Sequence, residues 1–197
     1  SLIRDSERAL ELYPTNPIIY YLNALSCYNL KKHEKAIESI NSGVNFVIQN
    51  PSLKTEMYSL LAEIYNTIEN YKMSDEFYEK SLEITPDNVF SLNNYAYYLA
   101  LRGENLEKAK KMSYKTIQMF PKEANYHDTY AWILFKLGDL KEAKYHMEEA
   151  IELSKTENAT FYDHIADILL EIGDLEMSDF YKKKSQEVKN KKNETED

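Results

Sequence analysis

Three of the four glycines in this 197-residue chain, Gly103, Gly138 and Gly173, stand 35 residues apart. A fixed spacing of that size marks one supersecondary unit repeated along a chain, and it restricts the fold more than any other feature here. Pairs of small residues follow the same period: Ala24 with Ala36, Ala62 with Ser74, Ala96 with Ala109, Ala131 with Ala143, and Ala166 with Ser178. Four residues before the first of each pair stands Tyr20, Tyr58, Leu92, His127 or Tyr162. Three residues after it stands Cys27, Tyr65, Leu99, Leu134 or Leu169. Spacings of three and four place such residues on one stripe of a helix. The small residues suit a close crossing of two helix axes. Gly-Asp or Gly-Glu ends one helix in a left-handed turn and opens the next, and Pro14, Pro86 and Pro121 stop the second helix of a unit. Each unit is thus two antiparallel helices, and one unit alone cannot bury its apolar stripe, so units must stack.

Composition agrees with an all-helical chain. Four glycines in 197 residues is far below an average share of about 7%. No Asn-Gly or Asp-Gly dipeptide is present to turn a hairpin, and no glycines cluster to cradle a phosphate. The apolar runs are too short to span a bilayer. A net charge of −9 opposes general nucleic-acid binding. The single cysteine, Cys27, excludes an internal disulfide, and its core position with no histidine beside it predicts an inert thiol. The chain opens on Ser1-Leu2-Ile3, without methionine or a signal segment, and reads as an excised or processed fragment whose targeting region and localisation are out of view.

The pattern resembles the tetratricopeptide repeat family. In Thr55–Asn88 its motif is met by Tyr58, Leu61, Ala62, Tyr65, Tyr71, Ser74, Tyr78, Ser81 and Pro86. In Ala124–Asn158 it is met by His127, Tyr130, Ala131, Leu134, Gly138, Leu140, Ala143, Met147 and Ala150. The resemblance implies an all-α, right-handed superhelical solenoid of antiparallel helix pairs, about five and a half repeats long. Residues 1–16 are then the second helix of a truncated repeat. Full repeats follow at 17–54, 55–88, 89–123, 124–158 and 159–192, and 193–197 form a disordered tail. The first repeat is about four residues long, with Gly43 in place of the usual Ala, which predicts a lengthened or bent second helix. The third carries one extra residue in Gly103-Glu104-Asn105-Leu106, which predicts a small shift of its second helix. The last helix turns polar through Lys182-Lys183-Lys184, as a cap should. At the other end Leu2, Ile3, Ala9, Leu10 and Leu12 form a stripe without a partner helix. That face either continues into repeats upstream or meets another chain, which includes self-association.

The resemblance also implies where a partner would lie: in a concave groove lined by the first helix of each repeat. Carried over position by position, the groove candidates are Tyr21, Tyr28, Glu63, Asn66, Asn93, Asn94, Tyr97, Asp128, Trp132, Lys136, Asp163, His164 and Asp167. Asn side chains both donate to and accept from a partner's backbone. Tyr21, Tyr97 and Trp132 offer stiff contact area, and the acids favour a neutral or basic protein or peptide segment. Each has a plainer reading: Tyr97 and Trp132 pack on a neighbouring first helix, or Asn93, Asn94 and Asp128 form a polar bridge between repeats. One subfamily of these modules grips acidic chaperone tails with Lys and Arg. The matching positions, Tyr21, Leu25, Leu60, Phe90 and Asn94, hold neither, so binding of such tails is not expected. Asp163-His164-x-x-Asp167 with Asp128 can be drawn as a metal site, but a lone groove histidine is the simpler account, and no metal or cofactor is assigned. The expectation is a non-catalytic protein-interaction module. An assembly scaffold, or the repeat portion of a larger enzyme or regulator, is the alternative.

Overall fold

The computed structural model describes the backbone of residues 2–196 and the side chains of residues 4–191. Leu2, Ile3 and Asp197, which the expectations above include, therefore lie wholly or in part outside the description. Among the described residues the regular structure is entirely helical: α1 (Leu2–Leu12), α2 (Pro17–Asn29), α3 (His33–Gly43), α4 (Pro51–Thr67), α5 (Tyr71–Ile84), α6 (Val89–Arg102), α7 (Leu106–Met119), α8 (Ala124–Lys136), α9 (Leu140–Leu153), α10 (Ala159–Ile172) and α11 (Leu175–Glu196), with one 3₁₀ turn at Val44–Phe46. The chain forms two compact units that divide between Ser91 and Leu92. Within each, consecutive helices pair: α2 with α3 and α4 with α5 in the first, α8 with α9 and α10 with α11 in the second.

Every small residue of the periodic pairs is buried to within 1% of complete, from Ala24 and Ala36 through Ala166 and Ser178. The two serines at the second-helix position are buried as deeply as the alanines, and Ser178 Oγ donates to the carbonyl of Ala166 at 2.8 Å, which binds α11 to α10. The inter-helix turn recurs as closely. Gly103, Gly138 and Gly173 have φ of +69°, +82° and +92°, the left-handed conformation in which only glycine is free of steric cost. Lys31 and Glu69 take the same conformation in the two earlier turns, at φ +58° and +60°. In all five turns the next residue's N–H reaches back to the same core position at 2.8–2.9 Å: Lys32 to Cys27, Asn70 to Tyr65, Glu104 to Leu99, Asp139 to Leu134 and Asp174 to Leu169. That is the bond that closes a Schellman cap.

The first repeat is built differently from the expectation, whereas in the third the second helix starts one residue later after its turn glycine than in the repeats that follow. α3 is neither lengthened nor bent; it stops at Gly43, and the 3₁₀ turn carries Phe46 onto the Tyr20 ring, with centroids 5.9 Å apart. The extra residues extend the front of α4 instead. Asn50 Oδ1 accepts the Leu53 N–H at 3.0 Å, and Pro51 occupies the first helical turn, where its missing donor costs nothing. In the third repeat the extra residue is absorbed by Asn105, the residue before α7, at φ +46°. At the C-terminus α11 runs on to Glu196, so 193–196 are helical rather than a disordered tail. Gln186 and Asn190 pair at 2.8 Å along it, and Lys191 reaches Glu157 at 3.3 Å.

Gly43 lies at the tightest helix contact: a Cβ built there falls 2.3 Å from Tyr20 Cβ and 2.7 Å from its Cγ. Gly43→Ala is therefore expected to cost about 1–3 kcal/mol by overpacking. Lys31→Gly and Glu69→Gly, which remove left-handed strain, are each expected to stabilise by up to about 1 kcal/mol. Urea denaturation of the three variants measures both, and a stable Gly43→Ala chain would show that α3 can retreat from Tyr20.

Candidate functional site

In the second unit the first helices α6, α8 and α10 bring together five of the groove candidates. Asp128 on α8 and His164 on α10 meet at 2.7 Å, Nδ1 to Oδ1, and both residues are more than nine-tenths buried. A carboxylate only accepts, so the Nδ1–H of His164 donates. The Trp132 ring lies flat on the His164 imidazole, with centroids 4.2 Å apart and planes 19° apart, and Lys136 Nζ sits 4.6 Å from the Trp132 ring centre. Tyr97 on α6 approaches the same imidazole at 6.4 Å. Burial, and to a lesser degree the Asp128 charge, push the Tyr97 phenol above its ordinary range.

This arrangement decides between the two readings open for several residues. Asp128 is a bridge between repeats, and Trp132, 8% exposed, is a wall side chain packed on its neighbour. Asn93 is buried as well; its amide nitrogen reaches Asn94 Oδ1 at 3.4 Å, while its own Oδ1 has no protein partner, nor does the Trp132 indole N–H. Asp163 is turned away from this cluster. Its carboxylate bonds Lys189 of α11 at 2.7 Å, and although burial alone would raise its pKa, that lysine holds it below the usual carboxylate range. With Asp163 so engaged the drawn Asp163–His164–Asp167 constellation does not assemble, and no group of three or more His, Cys, Asp or Glu among the described residues is placed to hold a metal.

In the first unit Glu63 is likewise engaged, accepting from the Tyr78 hydroxyl at 2.6 Å. Tyr28 OH lies 3.2 Å from Thr67 Oγ1, and Tyr21 is half-buried, its phenol raised by burial and then by Glu56. Ser59, another first-helix position, sits in a knot of hydroxyls with Ser81 and Ser91 at 2.6–2.9 Å. Large apolar side chains also remain open on first helices: Phe90 is 68% exposed, Ile18 51% and Leu22 46%. Glu56, Asn125 and Glu171 are exposed there too. Lys136 is exposed, and Asn66, Asn94 and Asp167 are half-buried. Cys27 is 1% exposed, and burial raises its thiol above the ordinary value.

One residue of this region was not legible as functional in the sequence. His146 on α9 faces His127 on α8, Nδ1 to Nδ1, at 3.1 Å. The signal was its spacing, three residues after the buried Ala143, on the stripe that meets α8.

Comparison with known proteins follows the same lines. Tetratricopeptide repeat profiles match residues 55–88, 77–111 and 124–157. No curated protein matches the sequence. Among solved structures, MamA from Desulfovibrio magneticus RS-1 superposes with a TM-score of 0.73 at 13% identity, over 89% of this chain and 96% of that one. Pseudomonas aeruginosa PilF gives 0.73 at 18% identity, over 87% and 75%. BtubC from P. vanneervenii gives 0.76 at 17% identity, over 98% and 88%. At these identities the likeness is one of fold. No helix among the described residues is long and apolar enough to cross a membrane.

Removing one partner of the Asp128–His164 bridge leaves the other buried without its bond. Asp128→Ala is therefore expected to cost about 1–3 kcal/mol, and Trp132→Ala about 3–5 kcal/mol. A double-mutant cycle of Asp128→Ala with His164→Phe, read by denaturant unfolding, should show coupling above about 0.5 kcal/mol. Strict additivity would mean that the bridge carries no stability.

Proposed function

We propose, from the premise that the chain belongs to the tetratricopeptide repeat family, that it is a non-catalytic module holding a segment of a partner polypeptide along its first helices. Repeats of this family make the chain a protein-interaction module; the groove and the segment are the finer reading. The observation that carries it is the exposure of large apolar side chains at first-helix positions. Glu63, Asp128 and Asp163 already have partners at 2.6–2.7 Å, whereas Phe90, Ile18 and Leu22 stand open. Exposed aromatic and aliphatic side chains on an otherwise polar surface are the usual anchors of a binding face. A segment carrying apolar side chains fits these positions, and the exposed Glu56 of the same unit leaves room for a basic group in it. Asn66, half-buried on α4 in the same unit as Phe90, Ile18 and Leu22, supplies hydrogen bonds that orient it without demanding a sequence.

Peptides selected by phage display on the folded chain test this. Phe90→Ser and Leu22→Ser should each weaken the selected peptides about tenfold or more, the loss of one hot-spot side chain. Both variants should keep the native helical signal and melting temperature. Peptides that bind both variants as tightly as the native chain would place the interaction elsewhere. A second reading, self-association, is favoured by Leu12 and Tyr13, which are 68% and 61% exposed beside Ile18. Light scattering across a concentration series, with Leu12→Ser and Tyr13→Ser together as control, separates the two.

A further inference from the structure

Helix α8 is held on two sides by histidine contacts of different kinds, an imidazole pair on one side and an imidazole–carboxylate bond on the other. On the α9 side His127 Nδ1 faces His146 Nδ1 at 3.1 Å, and His127 Nε2 lies 3.1 Å from the carbonyl oxygen of Pro121. The carbonyl can only accept, so Nε2 carries the hydrogen and the neutral ring presents the Nδ1 lone pair, to which His146 Nδ1–H donates. One added proton is tolerated on either ring, because the hydrogen between them can shift and keep one N–H···N bond. A second proton sets N–H against N–H and two positive charges face to face, and the bond is lost. On the α10 side the very next residue, Asp128, accepts from His164 at 2.7 Å.

The surroundings of each ring reinforce the difference. His146 has Glu142 and Tyr145 on its own helix, and His127 and Tyr130 on α8, the latter edge-on at 4.8 Å; Tyr114 of α7 stands behind Tyr130 at 5.7 Å. Burial, then His127, hold the His146 imidazole below the ordinary histidine range, while Glu142 opposes them. A histidine lowered in the folded state is protonated first in the unfolded chain. The stability it contributes is therefore whole above about pH 6.5 and declines as pH falls through the folded value. His164 has Asp128 and Trp132 on α8, Tyr97 on α6 and its neighbour Asp163 on α10, with Lys136 beyond the indole.

We propose that α8 is a pH-responsive element: acid releases it, together with the turn at 120–123, from α9 and leaves it held on α10. The face it would move carries Asp128, Trp132 and Lys136, so the device acts on the candidate binding surface while resting on none of its assignments.

Hydrogen exchange of the whole chain, read by mass spectrometry between pH 7.5 and 5.0 and corrected for intrinsic rates, tests this. Residues 121–130 and 142–148 should lose about tenfold in protection relative to 159–169. His146→Gln keeps a donor for His127 Nδ1 but cannot charge, and should abolish the loss. An equal loss in His146→Gln, or none in the native chain, overturns the proposal. If His146→Gln does not fold, NMR titration of the native chain's four histidines decides. A His146 titration displaced below the ordinary histidine range, accompanied by a shift of the His127 resonances, supports the device; an ordinary His146 titration that His127 does not sense overturns it.

Discussion

The close crossing of the two helices in each repeat is the contact on which everything else rests. Ala24 against Ala36, Ala131 against Ala143 and their counterparts are completely buried because nothing larger allows the axes to approach. Once the axes are that close, the large residues three and four positions away interlock, as Tyr65 does when it stacks on Phe77 with centroids 5.6 Å apart and planes 3° apart. Gly43 is the limiting case, where even a methyl group would meet Tyr20. The same approach leaves little room between helices of a pair, so the turn must be short and must reverse sharply. That is why each turn places one residue in the left-handed conformation, glycine or not.

How much of this was readable in advance follows from what each feature depends on. Small residues and capping glycines act through local backbone geometry, so their spacing alone located the helices. The turns at Lys31 and Glu69 were legible only through the register, because their residue types give no local signal. The α4 start was announced by Asn50-Pro51, a cap and a first-turn proline, yet the repeat length suggested a start near 55 and overrode it. The Asp128–His164 contact joins residues 36 apart in sequence. The repeat register puts them on neighbouring first helices, but only three-dimensional packing determines that these two side chains meet.

That distinction bears on reading a repeat groove from position numbers. Position in the repeat says which face a residue occupies, and says nothing of what it is already bonded to. Glu63, Asp128 and Asp163 all stand at first-helix positions, and each is held by a side chain of its own unit: Tyr78, His164 and Lys189. Of the three only Asp128 is buried, and a buried carboxylate needs such a partner, since leaving it unpaired costs several kcal/mol. Acids on an inner face are therefore the residues most subject to capture by the stack.

The side chains left open for a partner are consequently those whose exposure the stack itself does not penalise heavily. An exposed Phe90 or Ile18 forgoes about 1.5–3 kcal/mol of burial, which is less than an unpaired buried charge costs. A repeat stack can thus keep large apolar side chains exposed on its first helices without risk to its own fold, while buried polar groups such as Asp128 and His164 are satisfied only by joining neighbouring repeats.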